Sequence, residues 1–155
     1  MKYKPVRLAL KPNLRQIDYI IIHSTATKQG KPLTAQDIDS IHKDKGFAGI
    51  GYNIVVDLDG RVELGRSLVW QGAHCKNGRN IDSIGVCYVG GVDANGEPSD
   101  TRTPLQHLAL EAVLQTLKAV WPDAQICGHR DFANTECPSF NAKKYYEHIT
   151  GDTIF

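Results

Sequence analysis

The sequence predicts an α/β fold, one domain over residues 1–155 with a central mixed β-sheet flanked by helices. Three observations carry that expectation. Short β-branched runs alternate with segments of helical period; two β-rich runs meet at a tight turn and so add an antiparallel step; and 155 residues suffice for one core without disulfide or metal staples.

The elements follow in chain order. "IDYIIIHST" is a short apolar, β-branched run that ends in polar residues, so it reads as a buried strand with His23 at its C-terminal end. "LTAQDIDSIHKDKGF" offers Thr34 as N-cap with Asp37 three residues on, and Ile38 and Ile41 on one face before Gly46, which predicts a short helix. "GYNIVVDLDGRVELGR" is a hairpin turning at Asp57 to Gly60. "NIDSIGVCYVGG" reads as a central strand, and "GGVDANGEPSDTR" as a long surface loop that could rim a cleft. In "TPLQHLALEAVLQTLKAVW", Thr103 caps, Pro104 takes the first helical position and Gln106 completes a capping box. Leu105, Leu108, Ala109, Ala112 and Val113 form the expected apolar stripe, and Pro122 stops the helix. "AQICGHR" is a short strand ending at His129, and "NAKKYYEHI" a terminal helix with Tyr145 and Tyr146 read as its core and surface residues.

Composition narrows the function. With 18 basic and 17 acidic residues the net charge is +1, and no run of like charge suits nucleic acid or an anionic membrane surface. No window approaches the ~20 apolar residues of a membrane helix. "MKYKPVRLALKPN" lacks the apolar segment and cleavage site of a secretory leader, which predicts a cytoplasmic chain. Cys75, Cys87, Cys127 and Cys137 form no CxxC pair, so free thiols with at most one ligand are expected.

Chemistry concentrates in "GHRDFANTECPSF". His129 and Cys137, with His23 at the end of another strand, are a familiar catalytic zinc set of three protein ligands and one open position. Spacing alone leaves three readings open: a metal site, a metal-free Cys137/His129 peptidase dyad, or a hydrogen-bonded histidine with a buried thiol acting as a small hydrophobe. His42, His107 and His148 lie on helices, where solvent-facing or packing roles are expected. Trp70 suits either a cleft wall or structural packing.

Taken together, "IIIHSTAT", "GYNIVVDLDGRVELGR", "GAHCKNGRNIDSIGVCYVGG" and "GHRDFANTECPSF" resemble, in order and spacing over about residues 17–146, the zinc-dependent N-acetylmuramoyl-L-alanine amidases of the amidase-2 type. The likeness is greatest to the phage lysozyme-like amidases and extends to peptidoglycan recognition proteins. It implies one zinc ion on His23, His129 and Cys137, a catalytic tyrosine at Tyr52, and a substrate-contacting or ligand-supporting role for His74. Thr135 stands where phage-type enzymes carry lysine and catalytic recognition proteins threonine. A threonine can donate to a developing oxyanion but brings no positive charge. Cys87 stands where other branches carry glutamate; a thiol in this apolar run reads as core.

The implied substrate is peptidoglycan, cut at the amide between the lactyl group of N-acetylmuramic acid and L-alanine. Zinc would polarise the carbonyl and acidify water toward a pKa of ~7, with Tyr52 and Thr135 as hydrogen-bond donors. The apparent lack of a leader fits an endolysin that waits in the cytoplasm and acts on the wall after release, and the charge balance predicts no nucleic-acid partner; a monomer without membrane insertion is expected. A recognition module without catalysis is the competing reading, and the presence of Cys137 weighs against it. A purely structural zinc would need four protein ligands.

Overall fold

A computed structural model describes residues 15–151; the basic N-terminal stretch read for a leader lies outside them. The main sheet contains β1 (Tyr19–Ser24), β3 (Ile54–Val56), β4 (Val62–Leu64), β5 (Ser83–Tyr88) and β7 (Gln125–Gly128) in the order β4-β3-β5-β1-β7. Among the described residues its only antiparallel pairing is the predicted hairpin, β3 with β4, and the other three are parallel. The sheet is therefore mixed, as expected. A second, two-stranded sheet joins β2 (Thr27–Lys28) to β6 (Gly91–Val92). The loop read as a cleft rim thus contributes a strand, and the buried guanidinium of Arg102 ties down its far end. That group pairs with Asp100 at 2.8 Å, donates to the Tyr146 hydroxyl at 2.6 Å and lies 3.5 Å from the Phe140 ring centroid.

Strand alternation sorts the sheet's two faces. Ile20 and Ile22 of β1, Ile84, Val86 and Tyr88 of β5, and Ile54 and Val56 of β3 share a core with helix α2 (Pro104–Val120) and the short α3 (Ala142–Tyr145). Val55, on the other face, packs with Ala35 and Ile38 of α1 (Ala35–Asp44). His23, Cys87 and Val55 are register neighbours across β1, β5 and β3, so all three side chains belong to the α1 face. That face at the C-terminal ends of β1 and β7 is where clefts form in open parallel sheets.

Both predicted capping boxes are formed, Thr34 with Asp37 and Thr103 with Gln106. The stripe of α2 differs from expectation. Leu105 and Leu108 are 54% and 69% exposed, Ala112 is exposed, and the buried line runs through Gln106, Leu110, Val113, Leu114 and Leu117. Gln106 is the cause. Beyond accepting the Thr103 N–H, its amide donates to the Val56 and Val89 carbonyls, so a polar residue leads the buried face and rotates it off the leucines. On α1, Ile38 is buried but Ile41 is 41% exposed. The terminal helix is shorter than read: after Tyr145 the chain tightens, with Ile149 N–H donating to the Tyr146 carbonyl, and both side chains enter the core. The order of the tyrosines is the reverse of that read: Tyr146 is core, its hydroxyl accepting from the buried Arg102, and Tyr145 is surface. Trp70, 69% exposed, is not packed into either core. No helix among the described residues is long and apolar enough to cross a membrane.

Candidate metal centre

His23 is the penultimate residue of β1, and the buried isoleucines preceding it fix its backbone. His129 follows β7 directly and opens a 3-10 turn (His129–Asp131), held by the Asp131 carboxylate accepting the Gly128 N–H at 2.8 Å. Cys137 returns to the same place because its loop is pinned at several points. The Arg130 N–H donates to the Cys137 carbonyl at 2.8 Å, and the buried Tyr88 hydroxyl donates to the Pro138 carbonyl at 2.7 Å.

The three side chains converge. One donor atom from each of His23, His129 and Cys137 lies within 4.8 Å of the other two, a spacing one metal ion can bridge with small side-chain adjustments. His23 Nδ1 stands 3.8 Å from Cys137 Sγ. The Ser24 N–H donates to that sulfur at 3.3 Å, as a thiolate would need.

Electrostatics favour the same use. Burial, reinforced by the neighbouring His74 and His129, holds the pKa of His23 well below its ordinary value, and burial lowers His129 too. Neutral imidazoles are the ligand-competent form. Burial raises the Cys137 thiol, opposed by the Ser24 hydrogen bonds, so its thiolate calls for a cation alongside. Two imidazoles and one thiolate suit a borderline-soft divalent ion such as zinc. The residues present fit the group.

The other expected site residues surround these three. Tyr52 precedes β3, with its ring centroid 5.1 Å from that of His23 and 5.4 Å from that of His42. Its hydroxyl lies beside the Cys87 thiol, and burial first, then the two nearby cysteines, push its pKa well above the ordinary 10. Tyr52 therefore stays a proton donor across the physiological range. Cys87 is fully buried, and its thiol is likewise pushed up by burial. Thr135 Oγ1 accepts the Cys137 N–H at 3.2 Å, which leaves its own proton free to donate. His74 is buried with Nδ1 2.8 Å from His23 Nε2 and Nε2 3.2 Å from Ser83 Oγ.

A cleft of about 530 Å³ opens beside His129, lined among others by Phe47, His74, Lys76, Asn134 and Thr135. Its walls come from residues 73–80 and 133–135 rather than from the 90–102 loop. His42, expected only to pack or face solvent, accepts the Gly51 N–H at 2.9 Å and so supports the backbone next to Tyr52. His107 meets the Tyr145 hydroxyl at 3.2 Å and His148 the Glu111 carboxylate at 2.6 Å, both on the surface. The four cysteines are free thiols. Sequence reading missed Ser83, which it treated only as the start of a strand. No local pattern marks that residue.

Burying neutral histidines predicts a pH dependence. In the unfolded chain these imidazoles take up protons near 6.5, whereas His74, chiefly through burial, is pushed down to about 3 when folded. Below pH 6.5 the unfolded state binds more protons, so stability present above that pH is lost as pH falls toward the folded value. The urea midpoint of metal-free protein should thus decline between pH 6.5 and 4.5, ahead of most carboxylate titration. A flat midpoint over that window would mean the imidazoles are not held neutral.

Residues 13–140 match the amidase-2 family, described as N-acetylmuramoyl-L-alanine amidase. The endolysin of Enterobacteria phage K11 is 37% identical over 140 residues, 90% of this chain and 91% of that protein. Among solved structures, the N-acetylmuramoyl-L-alanine amidase LysC from Clostridium intestinale superposes with a TM-score of 0.71 at 31% identity, covering 88% of this chain and 84% of that one. The ectodomain complex of peptidoglycan recognition proteins LCa and LCx, bound to tracheal cytotoxin, matches with a TM-score of 0.63 at 29% identity over 86% of this chain and 82% of that one.

Proposed function

Because the chain belongs to the amidase-2 family of N-acetylmuramoyl-L-alanine amidases, we propose that one zinc ion held by His23, His129 and Cys137 is the centre at which it works. It is a peptidoglycan amidase of the endolysin kind, hydrolysing the amide between N-acetylmuramic acid and the L-alanine of the stem peptide. The observation that carries the metal assignment is the convergence of three donors within 4.8 Å beside an open cleft.

When bound, zinc supplies Lewis acidity that polarises the amide carbonyl and makes hydroxide available near neutral pH. The chain's own groups do the rest. His23 and His129, kept neutral by burial, and Cys137, steadied by the Ser24 N–H, hold the ion with a net single positive charge. The Tyr52 hydroxyl, protonated at working pH, donates to the attacking water or to the oxyanion of the tetrahedral intermediate. The Thr135 hydroxyl, whose oxygen already accepts from Cys137, has its proton available for the same oxyanion. The cleft takes the muramyl peptide, with Lys76 and Asn134 at its wall for polar contact. Residues 1–155 as one amidase domain, a monomer, and action on the wall after release from the cytoplasm belong to the same proposal.

The test is mass spectrometry of purified peptidoglycan incubated with the protein, with and without chelator and with zinc restored. Free stem peptides beginning with L-alanine are expected, lost on chelation and regained with zinc. Intact glycopeptide despite bound zinc would point to a recognition module. Chelator-resistant, alkylation-sensitive cleavage would point to a Cys137/His129 dyad.

A further inference from the structure

We infer that His74, Ser83 and the backbone carbonyl of Arg79 form a fixed hydrogen-bond relay that selects the tautomer of His23 and so makes His23 Nδ1 the metal-ligating atom. The inference rests on the zinc-site reading above and concerns how that site is kept ready. His74 is then a positioning residue, acting through His23.

The direction of each bond is forced from the outer end. The Arg79 carbonyl can only accept, so the Ser83 hydroxyl, 2.5 Å away, donates its single proton there. Toward His74 that oxygen is left as an acceptor, and His74 Nε2, at 3.2 Å, must carry the hydrogen. A neutral imidazole has one proton, so His74 Nδ1 is bare and accepts. Its partner at 2.8 Å is His23 Nε2, which must therefore be the protonated nitrogen of His23. What remains on His23 is a bare Nδ1, the nitrogen that stands 3.8 Å from Cys137 Sγ. The relay begins at a backbone carbonyl and ends at a lone pair aimed among the ligands.

The His74 ring is also denied room to turn. Its backbone N–H donates to Asn80 Oδ1 at 2.9 Å, and the ring lies in a slot made by two glycines. A Cβ at Gly72 would stand 2.5 Å from His74 Cδ2, and one at Gly85 2.6 Å from the same atom. Gly85 is held in place in turn by donating its N–H to Asn53 Oδ1 at 2.9 Å. The slot accounts for glycine at both positions. A ligand imidazole whose far nitrogen is fixed in this way keeps its orientation before the metal arrives, and loss of such a partner commonly weakens metal binding 10–100-fold.

Nitrogen NMR of the metal-free wild-type protein at pH 7.5 reads the relay without any substitution: the expected result is a proton on Nε2 of both His23 and His74. A proton on His23 Nδ1 would overturn the inference. Zinc affinity by chelator competition supplies the second readout. His74→Ala is expected to weaken zinc about 10–100-fold, Ser83→Ala to weaken it less, and His74→Asn, whose carboxamide oxygen can accept from His23 in place of Nδ1, to restore it to within a few-fold of wild type. Unchanged affinity in both His74→Ala and Ser83→Ala would overturn the relay; should His74→Ala not fold, Ser83→Ala and the wild-type tautomer decide. A wild type that binds no zinc would refute the metal centre and the relay together. Tight zinc binding and the expected tautomer without release of stem peptides would refute only the amidase chemistry.

Discussion

Cys137→Ala is expected to abolish zinc binding and amide hydrolysis together. Cys137 is the sole anionic donor of the set, and its removal leaves two neutral imidazoles, too few ligands for a stable zinc site. The substitution also deletes the acceptor of the Ser24 N–H. The thiol is half-buried, and the loop around it keeps the Arg130 N–H to Cys137 carbonyl bond and the Tyr88 to Pro138 bond in the variant. Zinc content by atomic absorption, measured beside peptide release, separates this account from a cysteine nucleophile. A dyad enzyme would lose activity with its metal content unchanged. Burial already argues against the dyad, since it raises the Cys137 thiol, whereas a nucleophilic cysteine needs a depressed pKa.

Tyr52→Phe is expected to keep zinc at the wild-type level and to lower kcat on the order of 100-fold or more, the usual effect of deleting one oxyanion donor. The phenyl ring can retain the packing against His23 and His42, so the ligand histidine is not disturbed. Only the hydroxyl is lost, and burial beside Cys87 keeps it protonated in the wild type. KM should change little, because the bond forms in the transition state rather than on binding. Full activity in Tyr52→Phe would remove Tyr52 from the mechanism. Retained zinc with lost turnover would set it apart from the ligands.

Local signals accounted for much of the fold. The β-branched run before His23, the Thr34 and Thr103 capping boxes and the Asp57–Gly60 turn act over a few residues, so their elements could be read directly. Reading failed where a long-range contact overrode a local pattern. Gln106 is buried because its amide reaches carbonyls 50 and 17 residues away, and that contact, absent from any heptad, turned the α2 stripe away from Leu105 and Leu108. Of the two roles read for Trp70, cleft wall or structural packing, its 69% exposure rules out the packing.

The same division runs through the site. By itself the sequence determined which residue types were available at strand ends and, through four ordered motifs, which family they resemble. Only the tertiary structure decided that His23 and Cys87 share one sheet face, that His74 sits against His23 across 51 residues of chain, and that the Ser24 N–H meets Cys137 across 113. The physical reason is range. Caps, turns and periodicity are set by neighbours along the chain, whereas the partner of a buried nitrogen is set by parallel strand pairing, which brings Gly85 of β5 against the His74 ring opposite Gly72.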